Sequence, residues 1–472
     1  MSFKNSKYIE SFLLLVVILA AKMVLALIDH DPRFFMGDSV SYLATAVDGW
    51  IPPDRSFLYG FFIRWFAMPF ENIEALIIGQ VLVSALSVWI GVEIVRMAGL
   101  NDRLLLWSFG VIWAVAPIQL IYERFMMSEC VSLFGFAIHL ACCVQFIRRP
   151  SAIWIGALAV TAFLVVALRV SFLPNILFSS VVLPFLAAVP GSSGSVGKTI
   201  MGVLRKRTTY LYLVLSLVLT GVALTGYKQL YAIKSGNPPA YHSRQGYFML
   251  STIAPLLSPS DFVDPGLRSA VYAEGGFDLE DPASREHQLW GGEGLIQRME
   301  RYVGDSIEVD QLAREIAVGV IVRHPVQFII LGWENFKAYL QPETVAKMVR
   351  LDLNRERALF GEFRQNLDKS FSYKGDGNSV SFTADLFFNS ILWYVFLVAA
   401  TMPLGLVAIG VSFSRSRLAL FAAGQLWVAF GVVIWLAIMA TVRYLHAIEF
   451  LFLFTLGLTV AELMAKRLQR PE

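Results

Sequence analysis

The chain has 472 residues, of which 56% are apolar and only 16% charged; its mean hydropathy is +0.61 and its formal net charge +3. Soluble domains carry about 25% charged residues, so this composition excludes an ordinary soluble globule unless the charges cluster, and they do: long apolar runs alternate with short basic loops. The near-neutral balance argues against nucleic acid as a partner, and the three cysteines, Cys130, Cys142 and Cys143, fall in one apolar run where they act as small hydrophobes, not as a disulfide framework or metal motif.

A helix needs about 20 apolar residues to cross the hydrocarbon core. About ten runs qualify, at roughly 9–28, 74–95, 104–121, 129–147, 151–168, 172–189, 209–228, 386–411, 418–440 and 445–463, the fifth and sixth being short. The first lacks a small-residue cleavage site and is expected to stay as a helix. Lysine and arginine concentrate in every second connection: Lys4 and Lys7, Arg96 and Arg103, Arg148 and Arg149, the loop 190–208 with Lys198, Arg205, Lys206 and Arg207, Arg415 and Arg417, and Lys466, Arg467 and Arg470. Basic loops face the cytoplasm, which predicts cytoplasmic termini and places the alternate segments outside.

Two outward segments are long. Segment 29–73 carries Asp29, Asp31, Asp38, Asp48 and Asp54, and segment 229–385 is long enough for a domain. The expected organisation is an N-terminal membrane module, 1–228, an extracytoplasmic and mostly helical domain, 229–385, and C-terminal membrane helices, 386–472. Within the domain, Asp305 and Glu308 predict a capping box for a helix over 306–323. Pro325 opens a second over 325–340, whose Trp333, Phe336 and Tyr339 suit a helix lying in the membrane interface. No internal repeat and no glycine-broken pair of mid-membrane helices, the usual sign of a transporter, is evident.

The residues able to carry chemistry sit at the outward ends of the runs. Asp38 and Tyr42 are one helical turn apart and share a face, followed by Arg55, Tyr59 and Arg64. Tyr122-Glu123-Arg124 and Ser128-Glu129 precede the fourth run, where an acid at the membrane edge is costly unless paired or used; a structural Glu–Arg pair is the plainer reading. Arg169 closes the fifth run and could simply snorkel. Arg443-Tyr444, with His446 and Glu449, opens the last, and those latter two are expected as a buried structural contact. His242 and Arg244 are candidate anion contacts, and His139 reads as a packed core residue. The stretch GSSGSVGKT has the wrong spacing, and no preceding strand, for a phosphate-binding loop.

In order and topology these motifs resemble the GT-C superfamily of membrane glycosyltransferases. Gly37-Asp38-Ser-Val-Ser-Tyr42 is similar to the acid-then-tyrosine of its first outward loop, and Arg55-Ser-Phe-Leu-Tyr59 resembles its Arg/Pro/Gly/Tyr stretch without the Pro-Gly core. Ser128-Glu129, Arg169, Arg443-Tyr444 and the stretch 313–325 match further positions. The resemblance implies a GT-C-like bundle of about ten transmembrane helices with interfacial helices, in a bacterial cytoplasmic (inner) membrane, with the active site on the outer face. It implies transfer of a sugar from a polyprenyl-phosphate donor to an extracytoplasmic lipid, glycan or protein. Asp38 and Glu129 would be catalytic, and Tyr42, Arg55, Tyr59, Arg124, Arg169, His242, Arg244, Arg443 and Tyr444 would bind the donor phosphate or substrate. A single acid stands where many relatives have an Asp-Glu pair, which leaves use of a divalent cation open; no other cofactor is implied. Inverting transfer needs a carboxylate to deprotonate the acceptor hydroxyl and cations to stabilise the departing phosphate, and Asp38 with the arginines supplies both. The competing functions are a flippase or transporter of lipid-linked sugars and a surface-polysaccharide polymerase or ligase.

The topology is testable by labelling. A Ser193→Cys variant should be protected from an impermeant thiol reagent in intact cells, and labelling there would invert the map.

Overall fold

The computed structural model describes residues 2–35, 37–189, 206–272, 284–353, 359, 361–375, 381–412, 417–438 and 440–467. Most of the basic loop 190–208 and Arg415 lie outside them. The described residues are helices and short connections with no strand, only a bridge between Arg33 and Phe125. Among the described residues eight helices are long and apolar enough to span a membrane: Tyr8–Ile28, Glu74–Met97, Glu129–Arg148, Val170–Ala188, Arg207–Ser235, Ile391–Val411, Arg417–Leu436 and Val442–Ala465. Apolar side chains such as Leu27, Ile153, Leu211 and Leu392 also cover the outside of the bundle, as expected of helices whose surroundings are as apolar as their contacts. The chain is an all-α, multi-pass membrane protein.

The two remaining expected spans differ from a plain crossing. Run 104–121 is divided into Arg103–Ala114 and Pro117–Tyr122. Pro117 disfavours helical geometry at the residue before it, and Ala116 accordingly leaves the helix at ψ 126°. Run 151–168 is one helix, Ala152–Leu168, of 17 residues. Helices Ser306–Arg323 and Pro325–Leu340 form as expected and bend by 99° between them. Asp305 supplies the N-cap, accepting from the Ile307 and Glu308 amides. In the second helix Val326, Ile329, Ile330 and Trp333 are exposed while Asn335 and Tyr339 are buried, so its apolar face is turned outward.

Segment 229–385 does not fold as one unit. Tyr247, Leu250, Phe262, Leu295, Met299, Ala313 and Val320 build a second core, which Ile438 from beyond the segment joins. Tyr339, Val345, Val349, Leu353, Ala384 and Phe387 instead join the core of the membrane bundle, and Phe363, Leu367 and Phe371 pack on Phe34, Tyr42 and Leu43 of the first outward segment. Acids outnumber bases over 229–385, but apolar faces at helical spacing decide which body each piece joins.

The first segment folds into helices Asp38–Asp48 and Leu58–Phe66. Gly37, at φ 96°, turns the chain into the first, a backbone state that glycine adopts without strain. Gly60 lets the two helices touch: a Cβ there would stand 2.3 Å from Thr45 Cβ. Gly60→Ala should therefore cost about 1–3 kcal/mol by overpacking, read as a lower unfolding temperature in detergent, and Thr45→Gly in the same chain should recover part of the loss.

Candidate functional site

The ends of the spans on one side of the bundle enclose a cavity of about 990 Å³. Leu168 and Arg169 stand where one apolar helix ends, Ser128 precedes the span Glu129–Arg148, Thr441 and Arg443 begin the last span, and His242 and Arg244 follow the span Arg207–Ser235. The Arg33–Phe125 bridge draws the first outward segment alongside: the Arg33 amide donates to Arg124 O at 2.8 Å and the Met126 amide to Arg33 O at 2.9 Å. Ser39 Oγ then donates to Met126 O at 3.0 Å and Tyr42 Oη to Ser128 Oγ at 3.1 Å. These bonds set Asp38 facing the start of the helix that carries Glu129.

Charges alternate across this wall. Arg55 grips Asp54, with Nε donating to Oδ1 at 3.1 Å, and its Nη1 lies 2.5 Å from Asp38 Oδ1. The other Asp38 oxygen is held by Arg443 Nη2. Arg443 Nε donates to Glu129 Oε1 at 2.6 Å, and Arg169 Nη1 lies 2.7 Å from the same oxygen. The sequence Asp54–Arg55–Asp38–Arg443–Glu129–Arg169 is thus a neutral chain of three acids and three arginines. Arg169 is further fixed by Ser171 Oγ, 3.1 Å from its Nε. Asp38, 15% exposed, faces the cavity, whereas Glu129, 1% exposed, lies beneath its floor. Charge-assisted bonds of this kind are about twice as strong as neutral ones.

Titration follows from these neighbours. Burial pushes the Asp54 carboxyl up, but the Arg55 charge and hydrogen bonds outweigh it and leave the group below its ordinary value. Burial works against the Arg55 charge, yet Asp38 and Asp54 hold it above its ordinary value. Burial raises the Tyr42 phenol to about 12 against the pull of Arg55, so Tyr42 is a hydrogen-bonding group at neutral pH. Burial drives the His242 imidazole down to about 4, with Asp54 opposing; its Nδ1 is buried without a hydrogen-bond partner among the described residues. Arg244 is stacked over Trp290 and Tyr247, with its guanidinium carbon 5.8 and 5.6 Å from the ring centroids. Among the described residues no carboxylate lies within ion-pair distance of it.

The structure brings Asp38, Tyr42, Arg55, Arg169, His242, Arg244, Arg443 and Tyr444 to the cavity wall. Three expected site residues are elsewhere: Glu129 beneath the floor, as above, and Tyr59 and Arg124. Tyr59 is buried with its hydroxyl on Gln80 Oε1 at 2.7 Å and its ring edge-on to Tyr42. Arg124 is turned into the bundle, where Nε donates to Asp29 O at 3.2 Å and Nη1 bonds Leu120 O at 3.2 Å and Glu123 Oε2 at 2.7 Å. Glu123 also takes Lys22 and Ser84 Oγ, the latter at 2.7 Å, so the Glu–Arg neighbours of the sequence are a structural network. The expected His446–Glu449 contact is not made either: Glu449 accepts from the Trp393 indole at 2.8 Å and the Gln119 amide at 3.2 Å, and His446 Nδ1 meets Arg443 O at 3.0 Å.

Sequence reasoning missed Trp50, His287, Trp290 and Asp352 on the wall. Nothing local marks them; Asp352 and Trp290 are brought in by helices of segment 229–385. Among the described residues no group of three or more His, Cys, Asp or Glu side chains is placed to hold a metal. Both Asp38 oxygens already face guanidiniums, so this donor set does not fit a divalent cation. Neither models of known protein families nor curated proteins give a match to this chain.

His242 gives a pH test. A histidine whose folded pKa is depressed contributes stability that is present above its unfolded value of 6.5 and lost as pH falls toward 4. The shift corresponds to at most about 3 kcal/mol. Unfolding temperatures measured from pH 7 to pH 4 should therefore fall more steeply for the natural chain than for His242→Gln, and parallel slopes would place the ring in water.

Proposed function

We propose that the protein is a glycosyltransferase of GT-C type that moves a sugar from a polyprenyl-phosphate donor to an acceptor hydroxyl outside the cytoplasm, with Asp38 as general base. The observation that carries this reading is Asp38 itself, a solvent-facing carboxylate set between two guanidiniums in a roomy cavity at the ends of membrane spans, with a further guanidinium, Arg244, in the same wall. The topology that goes with it has both termini in the cytoplasm, as the basic loops suggest, and the cavity on the outer face.

In the reaction the acceptor oxygen attacks the anomeric carbon, the bond from that carbon to the phosphate oxygen breaks, and the acceptor's proton passes to Asp38. Tyr42 and Ser128 keep the helix of Asp38 in register with the floor of the cavity. Glu129 is bound to Arg169 and Arg443 beneath the surface and serves to place those two arginines; the geometry favours Asp38 over it as the base. For the donor phosphate, charge counting selects Arg244 first, because Arg55, Arg443 and Arg169 already have carboxylate partners. The indole beside it restricts the guanidinium and adds a cation–π contribution of about 0.5–2 kcal/mol. Trp50, Tyr444 and Trp290 give the cavity the aromatic lining, with a few convergent polar groups, that small-molecule sites share.

Purified protein should be given polyprenyl-phosphate sugar, polyprenyl-diphosphate sugar and nucleotide sugar with the same acceptor membranes. Only the first is expected to support transfer. Asp38→Asn should lower turnover by about 10²–10⁴ without loss of donor binding, and Arg244→Ala should weaken donor use about tenfold to a hundredfold, the equivalent of a charged hydrogen bond. Activity with nucleotide sugar in membranes stripped of polyprenyl phosphate would refute the proposal. Preference for the diphosphate would favour a ligase or polymerase, and movement of intact lipid-linked sugar without transfer would favour a flippase.

A further inference from the structure

We infer that Asp352 is a positioning residue: it fixes the turn that delivers Arg443 to Asp38, and the fold keeps a buried carboxylate for that purpose. The inference rests on the reading of Asp38 as base. The turn needs outside support. The span Arg417–Leu436 ends in a π-helical turn over Val432–Leu436, and helix His446–Arg467 begins only after a single 3₁₀ turn, Val442–Leu445. No α-helical ladder sets the orientation of Arg443, which lies in that one turn.

Side chains from two helices of segment 229–385 set it instead. Tyr339 Oη accepts from the Thr441 amide at 2.9 Å and donates to the Thr441 carbonyl at 2.9 Å. Asp352 uses both oxygens: Oδ1 accepts from Thr441 Oγ1 at 2.5 Å and Oδ2 from the Arg443 amide at 2.9 Å. The Arg443 amide also reaches Thr441 Oγ1 at 3.2 Å. The backbone of the residue that holds Asp38 is therefore bonded directly to Asp352. The carboxylate is 4% exposed, and the charged and titratable groups acting on or facing it are Arg443, Glu129, Tyr122, Tyr339 and Tyr394. Burial raises its pKa to about 6, with the Thr441 and Arg443 bonds opposing. An acid whose folded pKa is raised is favoured by folding below its unfolded value, and that advantage is lost as pH rises through about 6. At neutral pH the ionised group thus works against stability, so its retention is explained by what it holds.

Two substitutions separate these roles. Asp352→Leu removes both acceptors and should lower kcat at least about tenfold, since a displacement on the order of 1 Å at a reacting group can cost about a hundredfold. The donor KM should change less than about twofold, because Arg244 is untouched. Asp352→Asn removes only the charge; its amide can turn toward Thr441 Oγ1 and keep its oxygen on the Arg443 amide. It should retain most activity and unfold at a higher temperature than the natural chain above pH 6, the difference closing toward pH 4. A structure of Asp352→Leu supplies a readout independent of any donor: Arg443 should be displaced from Asp38. Unchanged kcat, or an Arg443 still on both Asp38 and Glu129, would overturn the inference. A natural chain inert toward every sugar donor would reject the glycosyltransferase reading, and the Arg443 position would still decide this one.

Discussion

A carboxylate can be offered to a cavity at the boundary of a membrane protein only if nearby cations hold its charge, and that requirement organises the whole open end of this bundle. Asp38 meets one arginine from its own segment, Arg55, and one from 405 positions away, Arg443. Arg443 is also bonded to Glu129, whose other guanidinium partner is Arg169. The alternating chain therefore joins the first outward segment, the start of helix Glu129–Arg148, the connection after Ala152–Leu168 and the start of the last span. Loss of Glu129 would leave Arg169 without a carboxylate, and loss of Arg55 would leave Asp54 without its guanidinium; stranding a buried charge in this way costs about 3–5 kcal/mol.

A second ionic network lies behind the first and does different work with the same residue types. Lys22, Glu123 and Arg124 are almost wholly buried, and Asp29 accepts from the Thr383 amide at 3.0 Å. Through Arg124 and Asp29 this network ties the end of the first span to the turn before Glu129 and to helix Phe382–Asn389. Access to solvent separates the two: the cavity wall presents charged groups to a visitor, whereas the inner network satisfies groups that no visitor reaches.

That distinction explains what could be read in the sequence. The spans were legible because crossing length alone marks them; run 104–121 was legible as apolar but not as broken, since hydropathy averages over Pro117. Asp38 and Tyr42 could be placed on one face by helical spacing, and Arg169 and Arg443 at helix ends by their position beside apolar runs. Arg124 looked the same as those two because sequence does not reveal whether an arginine beside a glutamate turns outward or inward. Asp352 gave no signal: its meaning comes from Thr441, 89 positions later. The partition of 229–385 was hidden for the same reason, its acidic average masking the apolar faces around Val345 and Ala384.

On the reading of Asp38 as base, the neutral chain also accounts for the charge that the reaction creates. A sugar phosphodiester brings one negative charge, which Arg244, without an ion-paired carboxylate among the described residues, can match. When the sugar leaves, the phosphate becomes a monoester whose second pKa lies near 6, so it gains most of a further negative charge at pH 7. In the same step Asp38 accepts the acceptor's proton and loses its own charge. Arg55 and Arg443 then have no anion at Asp38 to hold and can turn to the phosphate. Proton uptake and leaving-group stabilisation are thereby coupled through the same two guanidiniums, and the net charge of the cavity stays constant across the transfer. A diphosphate donor would bring an extra charge at the outset, while Asp38 is still ionised and its two arginines are engaged. The arrangement suits the monophosphate for that reason, since in a low-dielectric site an uncompensated charge is the most costly term.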